Sequence, residues 1–309
     1  MVFTVSFIVV CLVWLLERAL GIPWDFHPDA QTYQAMSEAV SLNILIDPIK
    51  VLNNGHYILV SLFQSNVELL TFFNCLMFAK TNSLLYESMR FNDDKTKDNL
   101  LYYFIVVGCL FNPYRLHLAT TILKDTVIIF CLVCALSSRF KLSSIAVMLI
   151  YRMASIIYLP LLIPKRFSKI FFIISASIIL VFSESLITHM NDINETDMQF
   201  REFDKVPSFQ EFGAVGSALR FIVWPIISIT GMFFLLSPSI QYLPLTLGCV
   251  FTMIYSLKYT KLNFRDLFIP FVLMAIFGLL VTGFTTYFRY IFPIIVIMPI
   301  FIIMKNKPK

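Results

Sequence analysis

Three groups of residues in this chain have the types and spacing to do chemistry. The first is Pro23-Trp-Asp-Phe-His-Pro-Asp-Ala-Gln-Thr-Tyr33, which gathers Asp25, His27, Asp29 and Tyr33. Asp29 has two readings: a general base or acceptor for a substrate hydroxyl, or a cap for the helix that follows. Asp25 and His27 support the first reading, and Tyr33 with Trp24 and Phe26 offers aromatic faces suited to sugars or to a membrane interface. The second group is Arg115, His117, Lys124 and Asp125. It reads as a cationic pocket for a lipid pyrophosphate, with Asp125 orienting one of the bases, or as snorkelling side chains in local charge contact. The third is Arg152, between Val147–Ile150 and Met153–Ile157, together with Arg289. Arg152 offers bidentate donors to phosphate oxygens. It could instead pair with a buried acid such as Glu68 or satisfy broken helix ends. Arg289, in Tyr287-Phe-Arg-Tyr-Ile-Phe-Pro293, opens the last apolar span, as a functional candidate or an interfacial anchor.

These residues lie in or beside apolar segments. Of 309 residues 58% are hydrophobic and 14% charged, against about a quarter charged in ordinary domains. The apolar runs are long and short charged loops separate them, so the chain reads as all-α and polytopic in a membrane. An ionisable group at membrane depth is costly unless paired or hydrated, which makes each a functional candidate. The net charge of +5 fits loop lysines and arginines on the inner side, and no basic stripe suggests nucleic acid. Cys11, Cys75, Cys109, Cys131, Cys134 and Cys249 all sit in apolar runs. Cys131 and Cys134 form a CxxC without a second pair, so they read as buried small side chains. No Walker loop, GxGxxG, HExxH or GxSxG occurs, and neither a metal nor a cofactor is expected.

The elements follow in order. Val2–Leu16 is the first helix, retained rather than cleaved. Residues 17–56 are more polar, with an amphipathic helix over Asp29–Leu45 whose Tyr33, Met36, Val40 and Ile44 share one face along the interface. Tyr57–Phe78 returns through the membrane with Glu68 near its middle, and residues 80–98 form a charged inner loop. Leu100–Phe111 and Ile122–Leu136 pair across Asn112-Pro-Tyr-Arg-Leu-His117, where Asn-Pro breaks the helix. Leu142–Pro164 carries Arg152 near its middle, and Lys165–Lys169 follows. Ile170–Ile187 spans, Thr188–Leu219 is a second polar segment, and Phe221–Leu236, Tyr242–Leu257, Leu267–Val281 and Ile291–Met304 complete the apolar set. If every segment crosses, there are about ten spans. If residues 142–164 are re-entrant and 221–257 crosses once, there are about eight. In the second case each half of 142–164 is about ten residues, roughly 15 Å of helix, too short to cross. Both versions form one transmembrane domain over residues 1–309 and place Asp29, Arg115 and Arg289 outside. Arg201 and Arg220 reach that side only in the second.

Pro28, Asp29, Ala30 and Tyr33, then Asn53-Asn54-Gly55-His56-Tyr57, then Asn112, Pro113, Arg115 and Leu123-Lys124-Asp125, and last Arg289-Tyr290-Ile291-Phe292-Pro293 occur in that order. This layout resembles the multi-spanning polymerases of bacterial O-antigen and exopolysaccharide loci. More loosely, it is similar to polyprenyl-dependent glycosyltransferases of the GT-C class. The resemblance implies glycan transfer from a polyprenyl pyrophosphate to a sugar hydroxyl at the outer face of the bacterial inner membrane. Asp29 would assist the acceptor hydroxyl, and Arg115, Lys124, Arg152 and Arg289 would stabilise the departing pyrophosphate. The expected partners are thus a polyprenyl-linked glycan and membrane lipid. At 309 residues the chain is short for such polymerases. A transporter or flippase of lipid-linked oligosaccharide would use the same arginines, and an internal repeat would mark it; none is found. A membrane scaffold would simply pair off its charges.

Overall fold

The computed structural model describes residues 1–25, 28–39, 54–90, 100–137, 141–162, 206–207, 209, 212–236, 242–260, 264–281 and 283–306. Among these, every regular element is a helix. The chain divides into two compact units, Met1–Ile156 with Pro299–Lys309, and Ile157–Met298.

The first unit holds α1 (Val2–Ala19), α2 (Pro28–Ala39), α3 (Gly55–Leu62), α4 (Val67–Arg90), α5 (Leu100–Leu110), α6 (Pro113–Ala119), α7 (Asp125–Ser137) and α8 (Lys141–Tyr151). Helix α1 packs along α4. It does so with its polarity reversed: Ser6, Val10 and Glu17 are buried, while Phe3, Val5, Ile8, Leu12, Leu15 and Leu16 are exposed. A helix in water buries its apolar stripe and exposes its polar face. Beneath α1 lies a core of Val10, Cys75, Phe78 and Ala119, onto which Trp14, Phe111 and Leu116 pack.

The expected single span over Tyr57–Phe78 is two helices. Phe63-Gln64-Ser65-Asn66 turns the chain, with φ of 53° at Gln64 and 56° at Ser65. The Asn66 side chain then accepts from Leu69 N (3.1 Å) and caps α4. Helix α4 continues to Arg90, so Lys80, Glu87 and Arg90 lie on its exposed side rather than in a loop. Glu68 falls in the first turn of α4, not mid-span. The Asn-Pro break is present as expected. Asn112 accepts from Tyr114 N (3.0 Å) and Arg115 N (3.3 Å), with Pro113 at the first position of α6. The amphipathic pattern over Asp29–Leu45 is helical as far as Ala39, with Tyr33 buried against α3; residues 40–45 lie outside the described set.

Residues 142–164 are broken at Arg152, as one topology requires. Helix α8 ends at Tyr151, Met153–Tyr158 is a 3₁₀ turn, and α9 is Leu159–Leu162. The second unit continues with α10 (Gly213–Thr230), α11 (Phe233–Leu236), α12 (Leu243–Tyr259), α13 (Phe264–Leu280) and the part of α14 (Phe284–Asn306) up to Met298. Helix α10 begins earlier than its apolar run suggests and takes Arg220 inside. Arg220 Nε donates to Gly278 O (3.1 Å) and Nη2 to Ser217 Oγ (3.1 Å). Gly278 allows that approach, since a Cβ there would lie 2.9 Å from Arg220 O. Residues 163–205, including Ile170–Ile187 and most of the second polar segment, lie outside the described set.

Among the described residues, two helical stretches are long and apolar enough to cross a membrane, Val2–Ala19 and Phe284–Ile303. The other apolar helices, such as Asp125–Ser137 and Leu243–Tyr259, have 10–17 residues. At about 1.5 Å per residue they fall short of a roughly 30 Å hydrocarbon layer unless neighbouring turns complete them.

Candidate functional site

The first unit is organised around a buried stretch that is not helical. Between α6 and α7, residues Thr120–Leu123 are all buried. An irregular backbone survives burial only if its polar groups find partners. Here the carbonyls from Leu118 to Leu123 are each met by a side chain. Leu118 O accepts from Thr121 Oγ1 (3.0 Å) and Thr126 Oγ1 (3.2 Å), and Ala119 O from Cys75 Sγ (3.7 Å). Thr120 O accepts from Arg18 Nη2 (3.4 Å), and Ile122 O from His56 Nε2 (2.7 Å). Asn74 Nδ2 serves both Thr121 O (2.7 Å) and Leu123 O (3.2 Å). Lys124 O then accepts from Ile128 N (3.1 Å), the first bond of α7. Donors from α1, α3 and α4 thus fix where α7 begins.

At that point the charged side chains meet. Arg152 Nη2 lies 2.9 Å from Asp125 Oδ1, with both side chains buried. Arg152 interrupts α8 while Asp125 opens α7, and the two helices pack together. Lys124 is half-buried, its ammonium 5.3 Å from the centre of the Tyr33 ring. Tyr33 stands edge-on to His56 (4.6 Å) and to Tyr57 (5.8 Å), and His56 lies 5.9 Å from Tyr151. Gly55 lets α3 approach the end of α8: a Cβ there would lie 2.3 Å from Ile150 Cγ2 and 3.1 Å from Ile150 O. Among the described residues, Arg152, Lys124, Asp125 and a set of aromatic rings are therefore held together by α2, α3, the start of α7 and the end of α8.

The other expected residues are placed as follows. Arg115 is buried apart from this cluster. It donates to Asn82 Oδ1 and lies 4.5 Å over the Phe78 ring, while Asn82 Nδ2 donates to Ser6 Oγ (3.1 Å). Asp25 accepts from Gln31 Nε2 (2.7 Å) and so fastens the chain entering α2. Asp29 is the second residue of α2, inside its first turn; its side chain and His27 lie outside the described set. Arg289 belongs to the second unit, in the second turn of α14, and is half-buried. His117 Nδ1 is 2.9 Å from Glu17 Oε1, and Thr120 Oγ1 donates to Glu17 Oε2. Glu68, expected as a partner for Arg152, lies 3.8 Å from Arg18 instead.

Sequence reasoning passed over His56, Asn74, Asn82 and Glu17 as site residues. A signal was present for the asparagines. Thr71, Asn74 and Asn82 recur on the face of α4 that also carries Cys75 and Phe78. Amides on a core-facing stripe imply acceptors elsewhere that need them. Among the described residues no group of His, Cys, Asp and Glu could hold a metal ion. In comparisons with known proteins, no family model, no curated protein and no solved structure matches the chain.

Proposed function

We propose that the protein is a polytopic enzyme of the bacterial inner membrane, a glycosyltransferase or polysaccharide polymerase. It transfers glycan from a polyprenyl pyrophosphate-linked donor to a sugar acceptor at the external face. The membrane setting is supported by the reversed polarity of α1, whose large apolar side chains are exposed and whose Ser6 and Glu17 are buried. Lipid is the solvent in which that arrangement costs least.

The observation that carries the chemistry is the pairing of Arg152 with Asp125 beside Lys124. A buried ion pair adds little net stability compared with apolar packing, so stability alone is a weak reason to keep it. Arg152 and Lys124 bring a guanidinium and an ammonium to the same helix start, and both are groups suited to a phosphate or pyrophosphate. Tyr33, Tyr57 and Tyr151 supply rings against which a sugar packs. On this reading Asp29 assists the acceptor hydroxyl, and Arg115 serves the anionic donor from outside the cluster. The same pair also favours a second reading, a scaffold whose buried charges cancel.

Glycan length in cells separates the two. Asp29→Asn and Arg152→Lys each stop chain growth in the enzyme while insertion persists; the lysine keeps a charge opposite Asp125 but loses the planar fork. Full-length glycan with both variants would leave the scaffold.

A further inference from the structure

His56 is 1% exposed and forms one hydrogen bond among the described residues. Its Nε2 faces Ile122 O at 2.7 Å. A carbonyl only accepts, so Nε2 carries the proton. In the neutral ring Nδ1 is then a bare lone pair. That atom is buried and has no hydrogen-bond partner among the described residues. A buried acceptor on a ring this enclosed is a place where a donor from a ligand would gain a hydrogen bond.

The surroundings restrict what the occupant is. Tyr33 and Tyr151 flank the imidazole, while Lys124 lies against Tyr33 and Arg152 follows Tyr151. A ligand that fills this place brings an O–H or N–H donor to Nδ1 and a negative charge to the cations close by. Resting on the enzymatic reading, we infer that His56 Nδ1 accepts a hydrogen bond from the C2 substituent of the phosphate-linked sugar, so that His56 sets which donor sugar is used. Two groups flank the carbon that bears the phosphate. One is the ring oxygen, which cannot donate. The other is the C2 hydroxyl or acetamido group, which can.

Two substitutions separate this role from that of clamping Ile122. A glutamine amide reaches where Nε2 sits, keeping the clamp and removing the Nδ1 acceptor. An asparagine amide reaches where Nδ1 sits, keeping an acceptor and removing the clamp. The test uses the full chain in proteoliposomes, with polyprenyl diphosphate-linked glycans whose first sugar carries a C2 hydroxyl or acetamido group, or is 2-deoxy. The wild-type chain is expected to use the 2-deoxy donor about tenfold less well in kcat/KM, the loss of roughly one buried hydrogen bond. His56→Gln is expected to show the same loss with the natural donor and no further loss with the 2-deoxy donor. His56→Asn keeps the discrimination despite a less stable fold. Equal use of both donors by the wild type, or undiminished discrimination by His56→Gln, overturns the inference alone. No growth from either donor by the wild type overturns the enzymatic reading and the inference with it.

Discussion

Arg152 and Asp125 approach to 2.9 Å at a helix break and a helix start, each removed from solvent. Their pairing offsets part of the cost of burying either charge at that depth. Breaking a buried pair by removing one member costs about 3–5 kcal/mol, whereas replacing both by apolar groups of similar volume is close to neutral. Asp125→Leu and Arg152→Met should therefore each unfold more readily in detergent, and the double variant should recover most of that loss. Chain growth should stay absent in the double variant. Recovery of both stability and growth would reduce the pair to a structural feature.

Asn74 serves two buried carbonyls with one amide. Asn74→Leu leaves Thr121 O and Leu123 O without a donor, at a cost of about 1–3 kcal/mol for each group stranded. Asn66→Ala removes an exposed cap and should cost only about 1 kcal/mol. Unfolding midpoints measured on the same preparation should rank the two in that order. The reverse order would mean that the segment between α6 and α7 is not held as described.

Much of this arrangement was legible in the sequence, and the exceptions have physical causes. Asn112-Pro113 marked a helix break, and the break is present, with Asn112 capping α6 and Pro113 at its first position. Arg152 in an apolar run left two topologies open, and the break at Arg152 belongs to one of them, because a cation at that depth requires a partner or a gap. The turn after α3 was hidden because Phe63-Gln64-Ser65-Asn66 contains neither Gly nor Pro, although Gln64 and Ser65 take positive φ. Lys80, Glu87 and Arg90 read as a loop by charge, yet they are good helix formers on the outer side of α4. The partner of Arg152 was beyond reach, since sequence spacing does not rank Asp125 above Glu68 when both contacts are long-range.

Gly55 is required by packing rather than by its own backbone. Gly55→Ala places a methyl against Ile150, whose Cγ2 can swing aside but whose carbonyl oxygen cannot. A loss of about 1–3 kcal/mol is expected. Ile150→Ala in the same chain should restore only part of it. Full restoration would mean that the side chain alone sets the distance between α3 and α8.

The exposed side of α1 tests the membrane setting. In a background without the native cysteines, cysteine placed at Leu12 or Leu16, both exposed, should react with a lipid-soluble thiol reagent and resist an impermeant one. A cysteine at Asp192 should react with the impermeant reagent from outside if the chain has about eight spans. Labelling of position 12 by the impermeant reagent in intact cells would argue against lipid around α1.

The most direct test of the central claim is the rate of chain growth in proteoliposomes supplied with a polyprenyl diphosphate-linked repeat. The wild-type chain and a Lys124→Met, Arg152→Lys variant are compared at equal, verified insertion. The substitutions keep one cation opposite Asp125 and remove both the fork and the neighbouring charge. Growth by the wild type and a fall of about 100-fold or more in the variant are predicted, the loss associated with removing stabilising groups from a developing charge. Undiminished growth in the variant would contradict the claim, and so would a wild-type chain that does not extend the repeat.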